Sequence, residues 1–327
     1  MKTNWKRSAV SLLIIVIAFI GGCKKNETPQ PSTNTSVPNT DNYSSMADFF
    51  VKNGAQMQTY TINGANGGSF TTPQGTVVTI PADAFYNSLS QIVTGPVTIN
   101  FKDIYKKSDM LLSNVTTNTT TGVILQSGGE FFIKATSAGS PLTLANPLTI
   151  TQPLNGLPAD ANMKAYVKGP DTAGAPTIDT TGWAAANYRA NVIATYESYV
   201  YTLTQLPAPS AQGTWCNSDH PSYFAAYPQA ILTAHSVDTG FKYMAKTFIF
   251  FSGINAGLSC EDYTNMDDPY FPNVPIGIQG TLIAINVKYG KVYSSFTTIT
   301  LSANQTVNYS LTETTTAAFQ AALNALN

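Results

Sequence analysis

The two histidines, His220 and His235, are the side chains best suited to acid–base chemistry near neutral pH. Asp219 adjoins the first, and Asp238 follows the second by three residues. A carboxylate-held imidazole is the proton-transferring pair of a hydrolase triad, which a serine would complete. No G-x-S-x-G, H-E-x-x-H or glycine-rich phosphate motif accompanies either histidine. We therefore expect structural histidines, no catalytic residues, no enzymatic activity and no cofactor, and keep a hydrolase as the third hypothesis.

An acidic stretch near the middle of the second half carries oxygen ligands of the kind that Ca²⁺ prefers. It consists of Glu261, Asp262, Asp267 and Asp268. Their spacing matches no EF-hand loop, so two interpretations stay open. The stretch is either a weak metal site or a solvated loop.

Several aromatic side chains lie in segments that contain proline, and such rings can form a flat platform for a sugar. They are Trp215, Tyr223, Tyr227, Tyr270 and Phe271. The alternative interpretation is aromatic packing at a junction between domains, because large apolar rings are usually buried.

Two cysteines, Cys216 and Cys260, remain once Cys23 is modified as described below. In an oxidising compartment an even pair of cysteines predicts a disulfide. The bond would close a loop of about 44 residues and would add roughly 4 kcal/mol to the free energy of unfolding. The alternative is two separate buried thiols.

The N-terminus has the pattern of a secretory signal. Lys2, Lys6 and Arg7 precede an apolar run over residues 9–20 that is too short to span a bilayer. Gly22 before Cys23 resembles the bacterial lipobox, in which the cysteine receives fatty acyl chains such as palmitate and becomes the new N-terminus. We therefore predict a lipoprotein signal peptide over residues 1–22; an ordinary cleavage site and an uncleaved anchor are the alternatives.

Residues 23–44 are polar, rich in Asn, Thr, Ser and Pro, and predict a disordered tether. The whole chain is 43% hydrophobic and 11% charged, so it can bury substantial cores. Without residues 1–22 it keeps 14 basic and 18 acidic residues, a net charge near −4. This balance excludes an evident nucleic-acid-binding surface.

The stretch GGSFTTPQGTVVTIPADAF, residues 67–85, predicts a β-hairpin. Its strands would be residues 69–72 and 76–80, and Gly75 would supply a positive φ in the turn. Val78 would then share a face with Ile80, and Pro81 would end the strand.

This stretch and the segment VTGPVTINFKDI, residues 93–104, resemble the ZU5 domain, a β-sandwich found in ankyrins and netrin receptors. The closer similarity is to the ZU5-like domain at the front of many Gram-negative envelope lipoproteins. The resemblance continues through SGGEFFIKAT (127–136) and NPLTITQPL (146–154) and covers about half of the chain. It implies a ZU5-like sandwich, lipid-anchored to the outer membrane of a Gram-negative envelope, and no catalytic residues.

Evenly spaced strand patterns indicate a mainly β chain of two tandem antiparallel β-sandwich domains. We predict the ZU5-like sandwich over residues 45–215, opened by a helix over 46–53 with Ser45 as its N-cap. An immunoglobulin-like sandwich over 216–327 follows and ends in a short helix over 314–326. In a loop between predicted strands, Thr172 and Thr180 lie in triplets that resemble O-glycosylation sites of exported proteins.

Two functional classes follow from these features. The first is a non-enzymatic, membrane-anchored lipoprotein that binds an envelope protein or glycan or serves as an assembly module. The alternative is a saccharide-binding accessory component of a nutrient-capture system. The expected partners are the membrane, through the N-terminal lipid, and an envelope protein or glycan.

Overall fold

The computed structural model describes residues 39–119, 122–168, 182–206, 213–221, 223–238, 240–241, 245–260 and 268–327. The helices are α1 Met46–Asn53, α2 Lys107–Leu112 and α3 Thr316–Asn324, with a 3-10 turn at Asn187–Arg189. The strands of the first part of the chain are β1 Gln58–Asn63, β2 Gly68–Thr71, β3 Val77–Ile80, β4 Phe85–Tyr86, β5 Pro96–Ile104, β6 Gln126–Ser137, β7 Ser140–Pro141, β8 Thr143–Leu144, β9 Leu148–Pro153, β10 Lys164–Lys168, β11 Ala184–Ala185, β12 Ala190–Ala194, β13 Ser198–Leu203 and β14 Thr214–His220. Those of the second part are β15 Gln229–Ser236, β16 Lys246–Phe251, β17 Gly257–Ser259, β18 Tyr270–Pro275, β19 Gln279–Lys288, β20 Lys291–Thr300, β21 Gln305–Tyr309 and β22 Thr312–Thr314.

The predicted fold class is confirmed: the protein is mainly β, with several antiparallel sheets and a short C-terminal helix. Among the described strands, β15 and β21 form the single parallel pair. The remaining ladders are antiparallel, as expected when short connections join successive strands.

The first part of the chain forms two facing sheets. One has the order β1-β5-β6-β14-β10-β11 with β7 beside β6, and the other has the order β12-β13-β9-β3-β2. Inward side chains of both sheets form one core, for example Phe101 of β5, Phe131 of β6, Ile150 of β9 and Tyr201 of β13. Alternate residues of each strand point inward, which produces this sandwich.

The predicted hairpin is confirmed as β2 and β3, and Gly75 has φ +91° in its turn. Val78 and Ile80 are buried in the first core, whereas Thr79 is exposed. The strand ends before Pro81, which has no N–H to donate to a ladder.

The second part also forms two facing sheets, with orders β18-β15-β21 and β17-β16-β19-β20-β22. Their core includes Leu232 of β15, Ile249 of β16, Phe271 of β18 and Leu282 of β19. The β19–β20 hairpin turns through Tyr289 and Gly290, which have φ +52° and +78°.

A third hydrophobic cluster joins the two sandwiches. It combines Phe49 of α1, Leu111 of α2 and Phe319 of α3 with strand residues that include Trp215 of β14 and Phe248 of β16. Residues 39–327 therefore form one compact unit. Removing one such buried ring would cost about 3–5 kcal/mol, so the two sandwiches stabilise each other.

The predicted boundary between residues 215 and 216 falls inside β14. This strand pairs with β6 and β10 and so belongs to the first sandwich as far as His220. The sequence of this strand, TWCNSDH, lacks the alternation of apolar and polar residues by which strands are recognised. All of its residues except His220 are buried, whether polar or apolar, so β14 was not predicted.

Local capping signals set the ends of α1 as predicted. The Ser45 side chain accepts the Asp48 N–H, and Gly54 follows the last turn. In α3, Thr315 is the N-cap, and Phe319 and Leu323 are buried against the third cluster. The predicted helix over 314–326 is therefore present over a slightly shorter range.

The prediction of a disordered tether as far as residue 44 is wrong at its C-terminal end. Residues 39–43, called the strap below, are hydrogen-bonded to the second sandwich: the Tyr43 N–H donates to the Gly290 carbonyl (3.0 Å). The signal peptide, Cys23 and the first part of the tether lie outside the described residues. In the part of the chain that the structure describes, no helix is long and apolar enough to cross a membrane.

Candidate functional site

The most distinctive exposed surface lies on the outer face of β15 and its two neighbours. Leu232 and Ala234 of β15 point into the second core, so the intervening residues Thr233 and His235 point outward. Since β18 and β21 flank β15 on both sides, outward residues of three strands lie side by side.

The strand register arranges these outward side chains in two rows. Tyr270 and Thr306 flank Thr233 in the first row. Asp268 and Asn308 flank His235 in the second. We call these six residues the β15 face.

A short hydrogen bond organises the second row. His235 Nδ1 lies 2.6 Å from Asp268 Oδ2, and both side chains are partly exposed. When Nδ1 carries the proton and donates to the carboxylate, Nε2 remains an acceptor. The sequence neighbour Asp238 is not this partner; its side chain accepts the Gly240 N–H instead.

The β15 face therefore has fixed polar groups beside an aromatic ring. Neighbouring strands are about 4.8 Å apart and alternate residues about 7 Å apart, so the six side chains cover about 10 Å by 7 Å. The imidazole, carboxylate, amide and hydroxyl groups can exchange hydrogen bonds with a polyhydroxylated ligand, and a tyrosine ring can pack against its C–H groups. This chemistry suits one or two sugar rings.

The predicted aromatic platform does not assemble. Trp215 is buried in the third cluster and Phe271 in the second core, while Tyr223 packs against that core. Tyr227 and Tyr270 are each 38% exposed. These two tyrosines are not neighbours. Tyr227 lies before the start of β15, whereas Tyr270 pairs with Thr233, which is about 13 Å along that strand. Only Tyr270 belongs to the β15 face.

The other histidine forms a similar pair inside the first sandwich. His220 Nδ1 lies 2.7 Å from Asp160 Oδ2, sixty residues earlier in the chain, and not against the adjacent Asp219. Burial raises the pKa of Asp160, but hydrogen bonds from Asn162 and His220 outweigh this effect and lower the pKa overall. The Asp160 N–H also donates to the Tyr199 hydroxyl (3.0 Å), so the pair fastens a loop to the sheet.

Asp219 is fully buried on the face of β14 that also carries Trp215 and Asn217. Among the residues that the structure describes, neither of its carboxyl oxygens has a hydrogen-bond partner. Burial, and then the charge of Glu130, raise the pKa of Asp219 well above its ordinary value. Asp219 was considered above as the partner of His220, but its complete burial depends on tertiary packing and could not be predicted from neighbouring residues.

The predicted disulfide is wrong. Cys216 and Cys260 are not bonded to each other, and they lie in different hydrophobic cores, the first and the second respectively. Burial raises the pKa of Cys216 to about 12. Its thiol is therefore neutral and unreactive at physiological pH.

Most residues of the predicted acidic and O-glycosylation sites lie outside the described residues: Glu261, Asp262, Asp267, Thr172 and Thr180. The fourth acid, Asp268, is the partner of His235. Within the described ranges, no three His, Cys, Asp or Glu side chains come together in a way that could hold a metal ion.

Comparison of the sequence with protein-family models and with curated proteins found no match.

Proposed function

We propose that the protein is a non-enzymatic, lipid-anchored binding module of a Gram-negative cell envelope, and that it binds a glycan on the β15 face. The arrangement of Tyr270, His235 and their neighbours in two adjacent rows is the observation that carries this proposal. The lipobox-like sequence before Cys23 and the ZU5-like segments support the anchor and the envelope location.

The chemistry of the face favours a sugar. Its hydrogen-bonding groups are mostly neutral, and the charge of Asp268 is directed at His235. The sheet is rigid because β15 is hydrogen-bonded on both sides, so few side chains need to be ordered on binding. A saccharide-binding accessory component of a nutrient-capture system is one form of this function.

The environment of His235 supports a binding role over catalysis. Among the described residues, Asp268 is the side chain hydrogen-bonded to it, and no hydroxyl or thiol forms a hydrogen bond with its imidazole as a triad nucleophile would. The thiols of Cys216 and Cys260 are buried in the cores and cannot meet a substrate.

A glycan array probed with the intact protein tests the proposal, and Tyr227 gives a matched control. Tyr270→Ala and Tyr227→Ala each remove a tyrosine side chain of equal exposure. We expect Tyr270→Ala to weaken binding to the best glycan at least about tenfold, or ~1.4 kcal/mol, and Tyr227→Ala to leave it unchanged.

Asn308→Ala supplies a second measurement, since it removes only polar groups from the same face. It should weaken binding without changing the unfolding midpoint. Binding that depends on Tyr227 and not on Tyr270 or Asn308 would place the ligand elsewhere. An array without any binding, together with capture of an envelope protein through the same face, would replace the glycan with a protein partner.

A further inference from the structure

The strap fixes the point at which the N-terminal part of the chain leaves the folded unit. Besides the Tyr43 bond to Gly290, the Lys291 side chain donates to the Asp41 carbonyl (2.7 Å) and to the Asn39 carbonyl. These bonds hold the strap against the tip of the β19–β20 hairpin, residues 288–291.

The same segment is tied to the start of α3. The Asp41 carboxylate accepts the Thr316 N–H (2.6 Å) and the Thr316 hydroxyl (2.9 Å), and the Asn39 amide donates to the Thr314 carbonyl (3.0 Å). Charge-assisted bonds at a helix N-terminus are among the stronger hydrogen bonds of a protein surface. The chain therefore enters the folded unit at a defined place, beside this hairpin tip.

The length of chain before the strap limits how far this place can lie from a lipid anchor. Sixteen residue steps separate Cys23 from Asn39, a maximum of ~56 Å when fully extended. A flexible chain of that length has a root-mean-square span of about 22 Å. A compact unit the size of residues 39–327 has a radius of gyration of about 19 Å, so its diameter is about twice that span.

The hairpin tip presents a side chain suited to a membrane interface. Tyr289 is 87% exposed. Beside it, the Lys288 ammonium donates to the Gly240 carbonyl (3.0 Å) and lies 4.8 Å from the Phe241 ring centroid, so Tyr289 is the residue left to contact lipid. Tyrosine places an apolar ring against lipid and a polar hydroxyl in the headgroup layer. The turn does not favour tyrosine, because Tyr289 has φ +52° at a position where Asn, Asp or Gly is preferred.

We propose that the β19–β20 tip faces the bilayer and that Tyr289 contacts the lipid headgroups, which sets the orientation of the whole unit at the membrane. The inference rests on the lipid anchor of the proposed function. It adds the identity of the membrane-facing surface.

Quenching by lipid can test this orientation in the full chain. Tyr289→Cys and Tyr196→Cys would each be labelled with a fluorescent dye in the acylated protein on vesicles that contain headgroup-nitroxide lipids. Tyr196 is the matched control, since it is 93% exposed and lies in the β12–β13 turn of the first sandwich. The wild-type protein, whose Cys216 and Cys260 are buried, gives the labelling background.

We expect quenching at position 289 to exceed that at position 196 at least twofold, with both variants keeping the wild-type unfolding midpoint. Equal quenching, or stronger quenching at 196, in protein that carries the acyl chains would overturn the orientation and leave the anchor intact. Mass spectrometry of the N-terminal peptide separates this result from failure of the proposed function. An unacylated Cys23 would remove the anchor, and the inference with it.

Discussion

The buried carboxyl of Asp219 should make the stability of the protein fall as the pH rises. In the unfolded chain this carboxyl has an ordinary pKa of 3.8, and in the folded protein burial and Glu130 raise the pKa well above that value. The folded state therefore keeps a proton that the unfolded state has already released. Stability from this group is fully present below pH 3.8 and is lost as the pH rises through the folded pKa.

The size of the effect follows from linkage. Between the two pKa values, each pH unit lowers the free energy of unfolding by about 1.4 kcal/mol through this one proton. Asp219→Asn keeps the shape and removes the titration. The difference in unfolding free energy, variant minus wild type, should therefore rise with pH at about 1.4 kcal/mol per unit within that window.

Urea denaturation of both proteins at half-unit steps between pH 4.5 and pH 8 measures this difference. Titrating groups that do not interact with Asp219 cancel because both proteins share them, and Glu130 is the group whose titration the substitution itself changes. Glu197→Gln, which removes one exposed carboxyl, is the control for a change of net charge. A difference that is constant across this range would refute the reasoning, because it would mean that Asp219 does not titrate between the two states as its burial requires.

Two further predictions concern the first sandwich and the thiols. Gly75→Val should destabilise the protein by about 1–3 kcal/mol in chemical denaturation, because a β-branched residue is strained at φ +91° although a Cβ there meets only Pro153 at 3.5 Å. Gly95→Val, with no positive φ and no atom within 4 Å, is its control, and an equal loss in both would contradict the strain argument. Cys216 and Cys260 should react with a thiol reagent only after unfolding, and a non-reducing peptide map that links them would contradict the burial of each in its own core.

The tertiary contacts show why pairing partners were hard to predict. His220 bonds Asp160 and His235 bonds Asp268, although each has another aspartate close by in sequence. Asp160 lies in the loop between β9 and β10, and Asp268 lies just before β18, so packing between segments far apart in the chain brings each one to its histidine. The sequence pointed separately to Tyr270, Asp268 and His235 as candidate site residues. Only the pairing of β15 with β18 places the three side chains on one face.

Several features of the protein depend only on a few neighbouring residues. The turn at Gly75, the alternation of Val78 and Ile80 and the Ser45 cap of α1 each arise from local sterics and hydrogen bonds, so they could be predicted from short patterns. Long-range packing, by contrast, produces the burial of β14, the separation of Cys216 from Cys260, and the docking of the strap. These features depend on contacts between residues far apart in the chain, where buried apolar area and long-range hydrogen bonds outweigh the preferences of the local sequence.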